Sequence, residues 1–322
     1  MNHERIVIER GRRSGLPIIV AVHSTSRGQA IGGCRMKPYA DWRDGLADAL
    51  RLSAAMTAKS ALAGLPHGGG KTVVALPAGR VLDAGERRDA LLDTGDVIAG
   101  LNGVYATGPD VGTGPADMDV IAERTPHVFC RTSKSGDPSE GTAAGVVAAL
   151  RAVCAHRFGS ADLAGRSFAV LGLGHVGAHL VRMLAERHAK LLVSDINPAL
   201  RTVAEAHGAT WTTPDECLTA EVDVLVPAAL GGLLTPATVP ALRCAAIAGP
   251  ANNQLDDPST ADLLRHRGIL FAPDIVVSAG GIIHAIEIEL HGATAAQAAR
   301  RIDSIEDTLG KVLNGHLAVS LQ

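Results

Sequence analysis

The stretch that most constrains this chain runs from Ser167 to Asp195. A short apolar segment, Ser167–Leu171, leads directly into Gly172-Leu-Gly174-His175-Val176-Gly177. A helical pattern then continues to about Glu186, and a second apolar segment, Lys190–Ser194, ends on Asp195. A bare G-x-G-x-x-G carries little information, because glycine-rich turns are common. Between a strand and a helix, with an acid closing the next strand, it describes a unit built to hold a dinucleotide. Gly172 permits the tight turn, and Gly174 lets the backbone approach a pyrophosphate at the helix N-terminus. Gly177 lets the helix pack closely on the sheet. Asp195, about twenty residues on, is placed to accept the ribose hydroxyls. Its charge would repel a 2′-phosphate, so NAD is expected over NADP. The plainer alternative is a structural turn with a capping aspartate. His175 reads as a helix-start residue and not as a catalyst.

The surrounding pattern agrees with a doubly wound parallel sheet. Gly141–His156 reads as a long Ala/Val-rich helix, Pro198–Ala206 as a helix, and Val222–Val226, Ala245–Ala248 and Ile269–Phe271 as strands. Thr294–Leu313 has the stripe of one amphipathic packing helix. The first half is organised differently. Arg5–Glu9 and Leu16–Val22 predict a hairpin, with Gly11 and Ser14-Gly15 at its turn. Ala30–Met36 predicts a strand interrupted at Gly32-Gly33. Trp42–Lys59 predicts a helix capped by Asp41, Thr72–Leu76 a strand, Leu82–Leu101 a helix and Val104–Ala106 a strand. A turn-rich loop, Gly108–Gly114, precedes a helix over Pro115–Glu123. The polar run Thr132–Pro138 is the expected hinge. The chain is therefore expected to be α/β with two domains, residues 1–134 around a mixed sheet and residues 135–322 a Rossmann-type domain with a C-terminal helix.

Composition narrows the class. The 322 residues suit two domains, and 47% hydrophobic residues give ample core. Aromatics are only 2%, which argues against stacking platforms for single-stranded nucleic acid. A net charge of −3 without a basic run makes nucleic acid or an anionic membrane an unexpected partner. No apolar run reaches the ~18 residues of a membrane span, and the N-terminus lacks a signal-peptide pattern. Cys34, Cys130, Cys154, Cys217 and Cys244 form no C-x-x-C and are odd in number, as for reduced thiols in the cytoplasm. No metal site is expected.

Two lysines carry the chemistry. Lys59 closes the helix in Met56-Thr-Ala-Lys59, and Lys71 follows Gly68-Gly-Gly. The three glycines read as a turn that projects Lys71 into a cleft. A lysine removed from water loses basicity and exchanges protons nearer neutral pH. Taken alone, Lys59 reads as a surface lysine on a last helical turn. A phosphate-binding P-loop is excluded, because its first glycine would fall on Leu65. Asp110, in Gly108-Pro109-Asp110, would by itself be a turn-stabilising aspartate.

Together these motifs resemble the amino-acid dehydrogenases of the leucine, valine, phenylalanine and glutamate group, especially the leucine/phenylalanine branch. The matching stretches are Gly32-Gly33-Cys-Arg35-Met36, Met56–Lys59, Gly68–Lys71, Gly108-Pro-Asp110-Val-Gly-Thr, Ala116-Asp-Met-Asp119, Gly172–Gly177, Ser194-Asp195-Ile196-Asn197, Ala251-Asn252-Asn253-Gln254 and Ala279-Gly280-Gly281. The resemblance implies NAD-dependent oxidative deamination of an L-2-amino acid to a 2-oxo acid and ammonium, in a cleft between a substrate domain and a Rossmann domain. It also implies a homo-oligomer, a dimer or higher, assembled through the first domain. Carried over, Lys71 would activate the attacking water and Asp110 would shuttle protons to the amino group. Lys59 and Asn253 would hold the carboxylate, with Gly33, Met56, Pro109, Ile282 and Ala285 completing the substrate site. Thr142 would face the nicotinamide amide, and Gly172, Gly174, His175, Val176, Gly177, Asp195, Ile196, Ala228, Ala229 and Asn252 would bind the cofactor.

The side-chain pocket implied by the resemblance, Ile31, Gly108, Pro109, Ile282 and Ala285, has no charge to pair a glutamate-like substrate. An apolar amino acid is expected, and the small Ala285 favours phenylalanine-like or long aliphatic side chains over valine. Departures from the family pattern bear on assembly and substrate choice. The chain starts after the family's first short helical stretch and ends without its helical tail. Ser278 replaces an asparagine before Ala279-Gly280-Gly281, His284 replaces another, and Ala228 stands where cysteine is common. Asp137-Pro-Ser-Glu140-Gly141-Thr142 replaces a Pro-Val pair. Two other functions compete: a catalytically silent NAD-binding relative, and a dehydrogenase for an unusual amino acid in a biosynthetic pathway. Joint retention of Lys59, Lys71 and Asp110 weighs against the silent relative.

Overall fold

The computed structural model describes residues 2–229 and 231–318. The chain forms two compact units. One runs to Asp137 and includes Ile288–Gly292; the other comprises Pro138–Glu287 and the chain from Ala293.

In the first unit, β1 (Arg5–Arg10) and β2 (Pro17–Ser24) form the expected hairpin. They are followed by β3 (Ala30–Tyr39), α1 (Trp42–Leu62), β4 (Gly68–Pro77), α2 (Ala84–Ala99), β5 (Tyr105–Pro109) and α3 (Pro115–Ala122). The sheet order is β1-β2-β4-β3-β5, antiparallel from β1 to β4 and parallel among β4, β3 and β5. Side-chain alternation sends Ile19 and Ala21 of β2, with Val73 and Ala75 of β4, toward Ala49, Leu46 and Leu50 of α1. Ile18, Val20, Val22, Val74 and Leu76 point to the other face, where Leu91 and Ile98 of α2 and Met118 and Ile121 of α3 cover them. A central strand covered on both faces is mostly apolar, as Val73–Leu76 of β4 are, and its charged exception is the buried Lys71. Asp41 and Asp83 start α1 and α2 with reciprocal capping boxes.

Two local expectations are corrected here. Gly68-Gly-Gly is not a turn but the first part of β4, paired to β2 and β3. Close packing explains the glycines. A Cβ at Gly68 would lie 1.8 Å from the Ser24 carbonyl oxygen, one at Gly69 would lie 2.2 Å from the Thr57 amide nitrogen, and one at Gly70 would meet the Tyr105 ring at 2.5 Å. Nor is β3 interrupted: Gly32 and Gly33 sit in register opposite Thr107 and Gly108 of β5. Pairing with β5 carries the strand through residues that weaken an isolated one.

The second unit contains α4 (Ser139–Phe158), β6 (Ser167–Leu171), α5 (His175–Ala185), β7 (Lys190–Ser194), α6 (Arg201–Ala206), β8 (Thr210–Trp211), α7 (Pro214–Leu218), β9 (Val224–Pro227), β10 (Ala246–Ile247), α8 (Thr260–His266), β11 (Leu270–Phe271), α9 (Asp274–Val277), α10 (Gly280–Glu289), α11 (Ala295–Asp303) and α12 (Ile305–Leu313), the last residues of α10 belonging with the first unit. Its strands are all parallel in the order β11-β10-β9-β6-β7-β8. This is the doubly wound arrangement, with the reversal of strand order between β6 and β9. One sheet face packs Ala169, Leu225 and Ile247 against Cys217, Leu242 and Leu264. The short β8 is absent from the sequence reading. Thr294–Leu313 is two helices that meet at Ser304, whose hydroxyl donates to the Arg301 carbonyl at 2.7 Å. Both serve packing: Ala298, Ile302, Ile305 and Leu309 are buried, and Arg151 of α4 pairs with Glu306 and Asp303 at 2.7 and 3.0 Å.

The five cysteines are buried and unbridged. Among the described residues, no helix is long and apolar enough to cross a membrane.

Candidate active site

The chemistry-bearing residues of the first unit converge at the C-terminal end of β5. The loop after β5 is locked onto β3: Met36 donates its amide to the Val111 carbonyl at 2.9 Å, and the Thr113 hydroxyl donates to the Cys34 carbonyl at 2.7 Å. Gly112 takes φ +82°, and a Cβ there would strike the Met36 carbonyl oxygen at 1.8 Å. The Asp110 amide in turn donates to Thr113 Oγ1 at 3.0 Å. Asp110 is thus held in a loop pinned by backbone contacts to a fixed strand, as a precise site requires.

Its carboxylate meets Lys71 of β4, with Nζ to Oδ2 at 2.8 Å and side chains 6% and 13% exposed. Gly33 of β3 lies beneath. A Cβ at Gly33 would come within 2.6 Å of Asp110 Cβ, 2.9 Å of the Pro109 oxygen and 3.3 Å of Lys71 Nζ. Gly33, Lys71, Pro109 and Asp110 are therefore brought together. α1 reaches the same strand by seating Ser53 and Thr57 on Gly69. It carries Met56, half-buried, and Lys59, which is 8% exposed and no surface lysine.

A residue the sequence reading did not assign completes the cluster. Arg35 of β3 donates from Nε to the same Asp110 Oδ2 at 2.8 Å, and its other end pairs with Asp48 of α1 at 3.2 Å. Asp48 also accepts from Tyr39 at 2.9 Å and pairs with Arg51 at 2.8 Å and Lys37 at 3.5 Å. The available signal was a charge within the apolar run of β3, since a buried arginine requires partners. Burial lowers the Lys71 pKa; Asp110 partly offsets this and Arg35 adds to it. Burial alone would raise Asp110, but Lys71 and Arg35 outweigh it and hold the carboxyl well below the usual range. A weakened lysine beside an ionised carboxylate can pass protons to and from a bound molecule.

In the second unit, Gly172, Gly177, Ala228 and Ala229 come together at the reversal between β6 and β9. Gly172 has φ +113°, and its Cβ would lie 2.7 Å from the Ala229 amide nitrogen. Gly177 lies over it, with a Cβ position 2.2 Å from the Gly172 oxygen and 3.8 Å from Ala228 Cβ. Gly174 is the N-cap of α5, and nothing lies within 4 Å of where its Cβ would be. His175 is exposed at the first turn and Val176 half-buried. Asp195 accepts from the Leu173 amide at 2.7 Å and the Asn197 amide at 2.8 Å, so its carboxylate sits against the glycine turn. Ile196 beside it is 92% exposed. The turn with Asn252 and Asn253 is tied to the end of β9 through the Ala251 amide and the Pro227 oxygen at 3.1 Å. Asn253 adopts φ +52°, with its amide held by Asp274 at 2.6 Å. Thr142 of α4 donates to the Pro138 carbonyl at 3.0 Å, and Gly281 has room only for hydrogen beside its hydroxyl, 2.4 Å from a Cβ. Ile282 is half-buried, Ala285 is 1% exposed, and His284 packs over Gly141. The open space above Gly174, at a helix N-terminus beside a carboxylate, fits a dinucleotide.

Comparison with known proteins agrees with both halves. Residues 3–127 match the family model described as Glu/Leu/Phe/Val dehydrogenase, dimerisation domain, and residues 193–301 match Glutamate/Leucine/Phenylalanine/Valine dehydrogenase. The leucine dehydrogenase of Geobacillus stearothermophilus is 40% identical over 316 residues, 97% of this chain and 84% of that protein. The valine dehydrogenase of Streptomyces albus is 39% identical over 313 residues, 95% of this chain and 85% of that protein. The crystal structure of L-tryptophan dehydrogenase from Nostoc punctiforme superposes with a TM-score of 0.78 at 36% identity, covering 97% of this chain and 90% of that one. On this sequence match, continuous across both units, the chain belongs to the Glu/Leu/Phe/Val dehydrogenase family, in its leucine dehydrogenase branch, and is an amino-acid dehydrogenase.

Proposed function

We propose that Lys71 and Asp110 are the proton-handling pair of an NAD-dependent oxidative deamination of apolar L-2-amino acids. The observation that carries this reading is the buried 2.8 Å contact between them. A bound nicotinamide supplies the hydride acceptor. Loss of hydride from the substrate Cα leaves an imine, and the imine needs water. Lys71, neutral, takes a proton from that water as it attacks; Asp110 exchanges protons with the departing amino group. The residues we assign to the substrate are Lys59, for its carboxylate, with Gly33, Met56 and Pro109 in the first unit, and, separately, Asn253, for its carboxylate, with Ile282 and Ala285 in the second. Thr142 faces the nicotinamide amide, and Gly172, Gly174, His175, Val176, Gly177, Asp195, Ile196, Ala228, Ala229 and Asn252 hold the dinucleotide. A positioned base or acid contributes roughly 10²–10⁴ in rate. Lys71→Ala is therefore expected to cut kcat by at least ~10² while NADH, titrated by fluorescence, still binds; survival of about a tenth of the rate would overturn the assignment. Asp110→Asn, which keeps the shape and removes the proton acceptor, should be nearly as damaging.

NAD over NADP follows from Asp195, whose negative charge faces the place of a 2′-phosphate. Equal kcat/KM for the two cofactors would contradict it. The substrate is apolar, as for the leucine and valine dehydrogenases it resembles, and we expect phenylalanine-like or long aliphatic side chains to outperform valine. A panel of amino acids assayed for NADH formation decides this, and a preference for valine would remove the size argument. We place the enzyme in the cytoplasm, where buried unbridged thiols are stable.

A further inference from the structure

Arg35 has no part in the scheme above, yet it touches the centre of it, with Asp48 behind. Lys71 and Arg35 both reach Asp110 Oδ2 at 2.8 Å, from adjacent parallel strands. Nothing in hydride transfer requires a second cation there. We propose that Arg35 is a positioning residue of the reaction: by sharing Oδ2 of Asp110 with Lys71, it stops that carboxylate from holding the lysine proton outright and so leaves Lys71 able to act as a base. The proposal rests on the reading of Lys71 given above.

An isolated, buried Lys–Asp pair is neutral only while the lysine keeps its proton, and burial favours the neutral state. That arrangement makes a poor base. Adding the permanent charge of an arginine makes the trio positive while Lys71 is protonated and neutral once it is not. Burial then favours release of the proton. For this to hold, Arg35 must not be cancelled from behind. Asp48 does stand behind it, but Asp48 is shared with Lys37 and Arg51. The other ionisable neighbours do not change the sign. Cys34 on β3 is pushed up to about 12 by burial and stays a neutral thiol. From α1, Asp48 is the group that reaches the trio. The direction found for Lys71 agrees: Asp110 raises its pKa, Arg35 lowers it, and the net shift is downward.

The test is the pH dependence of kcat/KM for oxidative deamination, which reports groups of the free enzyme. Ionisation of the amino-acid substrate enters every profile alike, so differences between variants belong to the protein. Arg35→Met should move the rising limb to higher pH by ~1 unit or more, with activity recovering as pH increases. Arg35→Lys, which keeps the charge, should return the limb most of the way while losing rate through its poorer geometry. Arg35→Met that is slow at every pH, with the limb unmoved, would show a purely structural role and overturn the proposal. Should Arg35→Met fail to fold, Asp48→Asn takes its place. Removing that anion leaves Arg35 less neutralised, so the limb should move down, and an unmoved or raised limb would overturn the proposal. Lys71→Ala separates the two readings. If it stays active, the assignment of Lys71 is wrong; if it is inactive and the Arg35 limb stays put, only the present inference fails.

Discussion

Single side chains in this enzyme owe their state to a few buried partners. Asp48 is one case whose consequence is measurable. Burial would raise its carboxyl, but Arg51, Tyr39, Arg35 and Lys37 outweigh this and bring it from 3.8 to about 2. A carboxylate depressed on folding stabilises the native state above its unfolded pKa, and that stabilisation is lost as pH falls through the folded value. With the Asp48 side chain 14% exposed, the shift corresponds to about 2 kcal/mol. Asp48→Asn should therefore destabilise the protein by up to that amount at pH 6–7, with the difference shrinking from about pH 4 toward pH 2. Urea denaturation of both proteins across this range checks it; a difference that does not depend on pH would assign the loss to geometry and not to charge.

At the level of elements, the junction of α1 with β4 sets where Lys59 and Lys71 stand. The helix backbone rests on Gly69, whose missing side chain is the contact. A methyl group there would meet the Thr57 amide nitrogen at 2.2 Å and the Ser53 oxygen at 2.4 Å, neither of which can swing aside as a flexible side-chain end would. Gly69→Ala should force α1 off the strand, at a cost of ~1–3 kcal/mol typical of overpacking, and should raise KM for the amino acid as Lys59 shifts. Thermal melting together with steady-state kinetics tests both parts, and an alanine variant with wild-type Tm and KM would contradict the contact. The glycine turn of the second unit works by a different use of the same residue: Gly172 needs its positive φ, and Gly174 needs empty space.

For the whole molecule, the first unit is the expected assembly surface. Its sequence matches a family model described as a dimerisation domain, and its β1 is an edge strand with Ile8 44% exposed. Exposed strand edges are surfaces that proteins cover by pairing or by assembly. We expect a homodimer or a larger homo-oligomer through this unit; light scattering that finds only monomer at micromolar concentration would refute it. The division of the chain near Asp137 falls in the polar run that follows Thr132. The return of Ile288–Gly292 to the first unit has a local cause, because Glu289 accepts from the Cys130 amide at 2.7 Å and the Ser135 hydroxyl at 2.5 Å. A lone glutamate near the end of a helix gives no sign in sequence of such distant donors.

The sequence alone determined whatever depends on neighbours along the chain. Periodicity and capping residues mark the helices, the βαβ alternation marks the second sheet, and Gly172–Gly177 with Asp195 marks the glycine-rich turn between β6 and α5, because strand, turn and helix succeed one another in a single stretch. Only the tertiary structure decided what depends on residues far apart in sequence. It made Gly68–Gly70 a strand under a helix and not a turn, since the atoms that exclude a side chain come from Ser24, Thr57 and Tyr105. It buried Lys59, which by itself reads as a surface residue. It also joined Arg35 to Asp110 and Asp48, residues on a strand, a loop and a helix whose charges have no common periodicity. Local propensity is written in adjacent residues; the protonation state of a buried lysine is set by whichever charges the sheet order brings beside it.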